Sequence, residues 1–193
     1  MAIVLILAAA AAFAFGLLGQ QRSLGGPLFT DGKPAGAPGV KPTARSVPVA
    51  LIIPAIGLIA PVSELGLNPD HTVRVPTTFQ EPGWYKFGPS PGQLGSSVIL
   101  GHVDSYEGPA VFFKLRTLRP GDDVDVRLAD GLVTHFVVRE VAMYPKARFP
   151  TFQVYGPHGY SALQLVTCGG VFDTQSRSYL SNVVVYTSLV STT

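Results

Sequence analysis

Charged side chains are scarce in this sequence, at 13% of 193 residues, with 14 Lys and Arg against 12 Asp and Glu. What surplus there is lies at the front. Residues 1–45 hold Arg22, Lys33, Lys41 and Arg45 against Asp31, which leaves ten basic and eleven acidic side chains from residue 46 on. A nucleic-acid-binding domain concentrates positive charge on one face, so no nucleic-acid partner is expected. Cysteine is scarcer still. A single Cys168 excludes any intramolecular disulfide. There is no cluster of carboxylates with the spacing of a cation site either: Asp122, Asp123 and Asp125 alternate along one strand pattern and read as a solvated edge. Neither a metal nor another cofactor is expected. Finally, 193 residues suffice for one ordinary domain and leave no room for a second full catalytic one.

What is present is apolar and turn-rich: 47% hydrophobic residues, with Gly 21 and Pro 17. That balance favours short strands joined by turns over a charged helical bundle. From Ala2 to Leu18 there is no charged or strongly polar side chain, a run at the lower limit for a membrane-spanning helix. Residues 1–22 are accordingly expected to form a membrane anchor, with a cleaved signal segment as the competing reading because Ala12-Phe13-Ala14 is a small-x-small pattern. No Lys or Arg precedes the run and several follow it, which by charge alone orients the rest of the chain to the cytoplasm. The chemistry below places it outside. Residues 23–46, rich in Gly, Pro and Ala, cannot bury enough apolar surface to fold and read as a flexible linker. A single domain is expected over 47–193.

Within that domain, apolar runs recur at Val47–Ile53, Leu58–Val62, Ser97–His102, Val124–Leu128, Thr134–Val141, Ala162–Cys168 and Asn182–Tyr186. Asp123-Val124-Asp125-Val126-Arg127-Leu128 alternates with period two, the pattern of a strand with one wet face. Asp130-Gly131 sits between two such runs like a hairpin turn. Many short strands in one domain suggest an all-β, closed or nearly closed barrel.

Leu163 to Gly170 carries the most specific pattern. An apolar strand runs into Cys168, and two glycines follow that would let the backbone turn and leave the sulfur at an open strand end. A buried, inert thiol is the plainer reading of any lone cysteine. In an exported protein, however, a lone thiol risks oxidation, so its retention calls for a use. A thiol nucleophile needs a base or a cation beside it. Of the four histidines, His102 ends another apolar strand and also adjoins a glycine. His71 lies in a polar turn, His135 within a strand and His158 in a Gly/Pro loop, settings typical of solvated or structural imidazoles. Acyl transfer further needs a group to stabilise an oxyanion, and Arg177 is the one cationic residue after Cys168. Thr167 precedes the nucleophile and is a candidate substrate contact. Asp104 is near His102 in sequence, and Trp84 and Tyr85 read as core or barrel-mouth aromatics.

Leu165-Val166-Thr167-Cys168 resembles the Leu-x-Thr-Cys strand of the sortase family, Gly101-His102 resembles the sortase histidine, and Arg177 ahead of a valine-rich last strand is similar to the sortase arginine. The order histidine, cysteine, arginine, behind an anchor and linker, covers 46–193. Thr167-Cys168-Gly169-Gly170 with Phe172-Asp173 and Asn182-Val183-Val184-Val185 looks most like the actinobacterial sortases of class E or F, F above E. In many sortases the arginine opens the last strand; here that place holds Ser181-Asn182.

The resemblance implies an eight-stranded β-barrel with short helices, preceded by the N-terminal apolar helix, in a single-pass protein whose catalytic domain is extracytoplasmic. It implies a cysteine transpeptidase that cuts a Leu-Pro-x-Thr-Gly-like sorting signal of surface proteins between Thr and Gly, through a thioacyl enzyme. The acceptor is an amine of a cell-wall precursor or a pilin. Cys168 would be the nucleophile, His102 the acid and base, Arg177 the oxyanion or substrate-backbone group and Thr167 a substrate contact. Two readings compete: a tethered β-barrel binding module with an inert thiol, and an L,D-transpeptidase, whose Ser-His-Gly-Cys context this sequence lacks.

Overall fold

The computed structural model describes residues 40–193. The anchor expected over 1–22, and the linker as far as residue 39, lie outside the described residues. Among the described residues no helix is long and apolar enough to cross a membrane.

The strands follow in chain order as β1 Pro48–Ile53, β2 Leu58–Pro61, β3 Ser63–Leu65, β4 Gly83–Tyr85, β5 Gly95–Leu100, β6 Asp104–Ser105, β7 Gly108–Pro109, β8 Asp123–Leu128, β9 Val133–Pro145, β10 Ser161–Asp173 and β11 Ser178–Thr192. One short helix, α1 (Thr151–Tyr155), and three single 3₁₀ turns complete the described elements. Nine strands form one sheet in the order β2-β1-β8-β9-β11-β10-β5-β4-β3, and β6 and β7 make a separate small ribbon. The two edge strands, β2 and β3, are neighbours in the chain, separated by Val62. The amide of Val62 donates to Val49 O on one side (3.2 Å), and that of Ser63 to Pro82 O on the other (3.0 Å). The sheet thus curls on itself into an all-β, nearly closed barrel. Its nine strands differ from the expected eight because the segment around Val62 is split between the two ends of the sheet.

Alternation along the strands explains two cores. Leu51, Ile53, Val124, Val126, Phe136, Leu163, Leu165 and Val185 point inward with Phe112 and Leu115. On the outer face of β5, β10 and β11, Val98, Leu100, Val166 and Val184 are covered by Leu65, Val73 and Val154 of α1. β5 and the first part of β10 are therefore buried on both faces, which is why their sequences read as continuous apolar runs, as in parallel sheets generally. β8, by contrast, alternates buried and open positions as its sequence predicts. Asp125 on its wet face bonds His135 Nδ1 at 2.8 Å, so both side chains serve the β8–β9 hairpin. Gly131 turns that hairpin at φ +93°, a conformation that favours glycine.

Strand boundaries depart from the sequence reading at the end of β10. The strand does not stop at Cys168 but continues to Asp173, with a register shift between Gly169 and Phe172. The glycines form a bulge rather than a terminus. Gly170 sits at φ +79°, and a Cβ there would meet the Ser181 side chain at 3.0 Å.

Residues 40–46 have the composition of a tether yet lie on the domain. Thr43 N donates to Gly92 O (3.0 Å), and Arg45 donates from Nη1 to Gly88 O (3.0 Å) and from Nη2 to Lys86 O. The Arg45 guanidinium stands 5.0 Å above the ring of Trp84, whose Nε1 donates to Pro89 O at 3.0 Å. Backbone carbonyls left open by the 86–89 turn thus find their donor in a segment that composition alone assigns to solvent. Arg45→Ala should lower the free energy of unfolding by about 1–2 kcal/mol, the worth of one exposed cation–π contact plus charge-assisted bonds. Urea denaturation tests this, and an unchanged midpoint would mean that the segment rests on the domain without stabilising it.

Candidate active site

β5 and β10 run parallel, with Val98 opposite Gln164 and Leu100 opposite Val166. The amide of Gly101 continues the ladder to Val166 O at 3.1 Å. Extended by two residues, that register sets His102 level with Cys168. Neighbouring backbones in a sheet are about 4.8 Å apart, and side chains two residues on keep to one face. His102 therefore shares the outer face with Leu100, as Cys168 does with Val166. Both are buried, at 7% and 4% exposure.

The imidazole is held on two sides. Nε2 lies 2.9 Å from Pro76 O; a carbonyl only accepts, so Nε2 carries the proton and Nδ1 is left as the basic nitrogen of the neutral ring. The Phe79 ring packs against it with centroids 4.9 Å apart. His102 O accepts from Phe112 N at 2.9 Å. Gly101 is small for a packing reason: a Cβ there would lie 2.5 Å from Cδ2 of the buried Phe112 ring.

Burial pushes the Cys168 thiol above the ordinary thiol range; Lys146 opposes the shift and Asp104 adds to it. The thiol is thus neutral at pH 7 unless a base takes its proton. Asp104, in β6 just after His102, accepts from the Tyr179 hydroxyl, and this carboxylate raises the phenol to about 12. Lys146 Nζ bonds Ser178 Oγ at 2.8 Å. These contacts tie β11 and the turn after β9 to the loop carrying His102. Sequence reading considered Asp104 only for its nearness to His102 and gave Lys146 and Tyr179 no part. No local pattern marks them, because their partners lie 32 to 75 residues away.

Two expected site residues are placed differently. The β10–β11 pairing runs past the glycines, so Arg177 occupies the hairpin tip at φ +52°, next to Ser178, which pairs with Asp173. Five strand positions separate Asp173 from Cys168, roughly 15 Å of strand. The backbone of Arg177 thus lies farther along the hairpin than the nucleophile's own pair, Cys168 and Asn182. Thr167 is 1% exposed, and alternation points it to the inner face with Leu163 and Leu165, away from the sulfur. Any substrate contact it makes goes through its backbone. The remaining histidines have structural partners or turn positions: His135 at Asp125, His158 Nε2 at Gln153 O (3.0 Å), and His71 in a left-handed turn. Missed altogether was Asn182, directly opposite Cys168 on β11 and wholly buried. A cavity of about 490 Å³ between Tyr85, Phe87, Leu94 and Tyr155 lies toward the start of β5, and another of about 640 Å³ lies between Leu65, Leu67, Arg74 and Lys86; Cys168 lines neither.

A family model described as "Sortase domain" matches residues 51–190. Among solved structures, sortase C of Streptococcus pneumoniae is 19% identical, over 74% of this chain and 68% of its own, with a TM-score of 0.55. A pilus-related sortase C of Group B Streptococcus is 14% identical over 77% and 69%, and Listeria monocytogenes sortase A is 17% identical over 77% and 90%, each with a TM-score of 0.57. No curated protein matches the chain.

The rate of Cys168 alkylation by iodoacetamide should rise with pH, with a midpoint above that of an unstructured cysteine peptide. Lys146→Met removes a charge that favours the thiolate and should move the midpoint further up. Asp104→Asn removes one that opposes it and should move the midpoint down. A wild-type midpoint at or below the ordinary thiol value would refute the neutral, buried ground state.

Proposed function

The chain belongs to the sortase family of cysteine transpeptidases, and on that premise we propose that it cuts a C-terminal Leu-Pro-x-Thr-Gly-like sorting signal between Thr and Gly and passes the acyl group to an amine of a cell-wall precursor or a pilin. One observation carries the reading: a buried thiol and a buried imidazole, its Nε2 held on Pro76 O, each lie two residues beyond the matched pair Val166 and Leu100 of two parallel strands. The pilus-related sortase C among the structural neighbours supports a pilin as one acceptor. Within the family, the Thr-Cys-Gly-Gly strand and the Asn-Val-Val-Val strand support class E or F, F above E. The apolar run over Ala2–Leu18 supports a single-pass anchor with the domain outside the membrane.

The steps follow from the ground state. His102 Nδ1 takes the thiol proton, giving a thiolate and an imidazolium whose second N–H remains on Pro76 O. The sulfur adds to the threonine carbonyl carbon, and the C=O pair moves onto oxygen. When that pair returns, the C–N bond breaks and the glycine nitrogen leaves with the proton from His102. The incoming amine attacks the thioester, His102 takes its proton, and the sulfur departs as thiolate. Arg177, at the hairpin tip, holds the substrate main chain where it passes over the barrel mouth. Because the thiol favours the neutral form, only a minority of molecules hold the ion pair at any pH, and turnover is slow.

The full-length chain should cleave a fluorogenic sorting-signal peptide, and mass spectrometry should trap a thioester on Cys168. Cys168→Ala should abolish cleavage and His102→Ala should be nearly as damaging, while Arg177→Ala should cost about 10- to 100-fold in kcat/KM, the worth of a charge-assisted hydrogen bond. The pH profile of kcat/KM should be bell-shaped. Silence against a panel of sorting signals would favour the binding-module reading.

A further inference from the structure

β11 completes a row across the sheet. Cys168 pairs with Asn182 across the antiparallel β10–β11 ladder, and Asn182 pairs in turn with Tyr144 of β9. Directly opposed residues in an antiparallel pair point to the same face with Cβ atoms about 4.5–5.5 Å apart. Cys168 and Asn182 therefore share one face of adjacent strands, with His102 just past the end of β5 on the other side of β10.

The amide of Asn182 is 0% exposed, and neither Nδ2 nor Oδ1 has a hydrogen-bond partner in the protein. Such a group offers two N–H donors and two acceptor sites. Buried amides left unpaired cost free energy and are uncommon in native structures. This one heads a run of three valines, Val183 to Val185, where an apolar side chain would fit the strand and its core better. Its cross-strand neighbour Tyr144 accepts from Tyr186 at 3.4 Å, and Lys146 donates to Ser178.

We propose that Asn182 is a catalytic residue, whose Nδ2 donates to the carbonyl oxygen of the acyl group as Cys168 attacks it. The inference rests on the transpeptidase reading for the identity of the attacked carbonyl. Once the carbonyl carbon is bonded to Sγ, its oxygen is confined to about 3 Å from the sulfur, within reach of the amide on the neighbouring strand. As the C=O electron pair moves onto oxygen, the Nδ2–H bond strengthens; as the pair returns, the C–N bond breaks and the amine leaves with the His102 proton. A preorganised neutral amide suits this position, because it strengthens its bond only as charge develops on the oxygen.

Two probes separate this role from others in the full-length chain. p-Nitrophenyl acetate acylates a thiol through an oxyanion and needs no sorting signal; iodoacetamide alkylates the same thiol with no oxyanion. Asn182→Leu, which retains the volume and removes the donor, should slow acylation by roughly 100- to 1000-fold while alkylation stays within about twofold and the unfolding midpoint is equal or higher. Asn182→Ala should show the same ratio should the leucine variant fold poorly. Equal acylation in variant and wild type, equal losses with both probes, or a wild type that alkylates without acylating would each overturn the proposal. A chain that cleaves no peptide yet shows the acylation loss would refute the sorting-signal reading and leave Asn182 as assigned.

Discussion

Parallel pairing of β5 with β10 is the constraint on which the site depends. Two strands that run the same way end at the same rim of the barrel, so His102 and Cys168, each two residues beyond the matched pair Leu100 and Val166, arrive together. An antiparallel pair would have sent them to opposite rims. The arrangement requires a long crossover, and the chain from 101 to 160 supplies it with β6 to β9 and α1. A slip of one residue in either ladder would turn the sulfur into the barrel interior. The apolar cover over Val98, Leu100, Val166 and Val184 guards against that slip, since it would expose these four side chains' places to polar neighbours.

The same cover sets the electrostatics. A sulfur at 4% exposure sits where charge is poorly solvated, so the neutral thiol is favoured at rest. A thiolate at this position needs a base to take the proton, and the Pro76 carbonyl, by holding a proton on His102 Nε2, leaves Nδ1 of the neutral ring as the acceptor. Oxidation of cysteine follows thiolate character and access, so a buried neutral thiol is also a protected one. The Asp104–Tyr179 contact adds a second layer, tying the strand opposite Cys168 to the segment just after His102.

Barrel closure and site geometry are coupled through the edges. β2 and β3 meet at Val62, where hydrogen bonds to Val49 and Pro82 substitute for a continuous ladder. Close by, Arg45 clamps the 86–89 turn, and Trp84 beneath it is 1% exposed. Since β4 pairs directly with β5, anything that loosens Trp84 reaches the strand leading to His102 with a single ladder between them.

Local pattern determined much. Period-two alternation marks β8, Asp130-Gly131 marks its hairpin, and the apolar runs locate β1, β2, β5 and the first half of β10. Cys168 and His102 could be singled out as candidates, because glycine neighbours and apolar flanks are properties of a few consecutive residues, but the strand expected to stop at Cys168 runs on to Asp173. What tertiary structure alone decided is everything that depends on register. The bulge at Gly169 to Phe172 prolongs the hairpin and carries Arg177 to its tip; alternation seen against the barrel turns Thr167 inward; and the β10–β11 ladder sets Asn182 opposite the sulfur. Registers and bulges are chosen by the fit of distant strands and the burial of whole faces, and no short window of sequence contains that information.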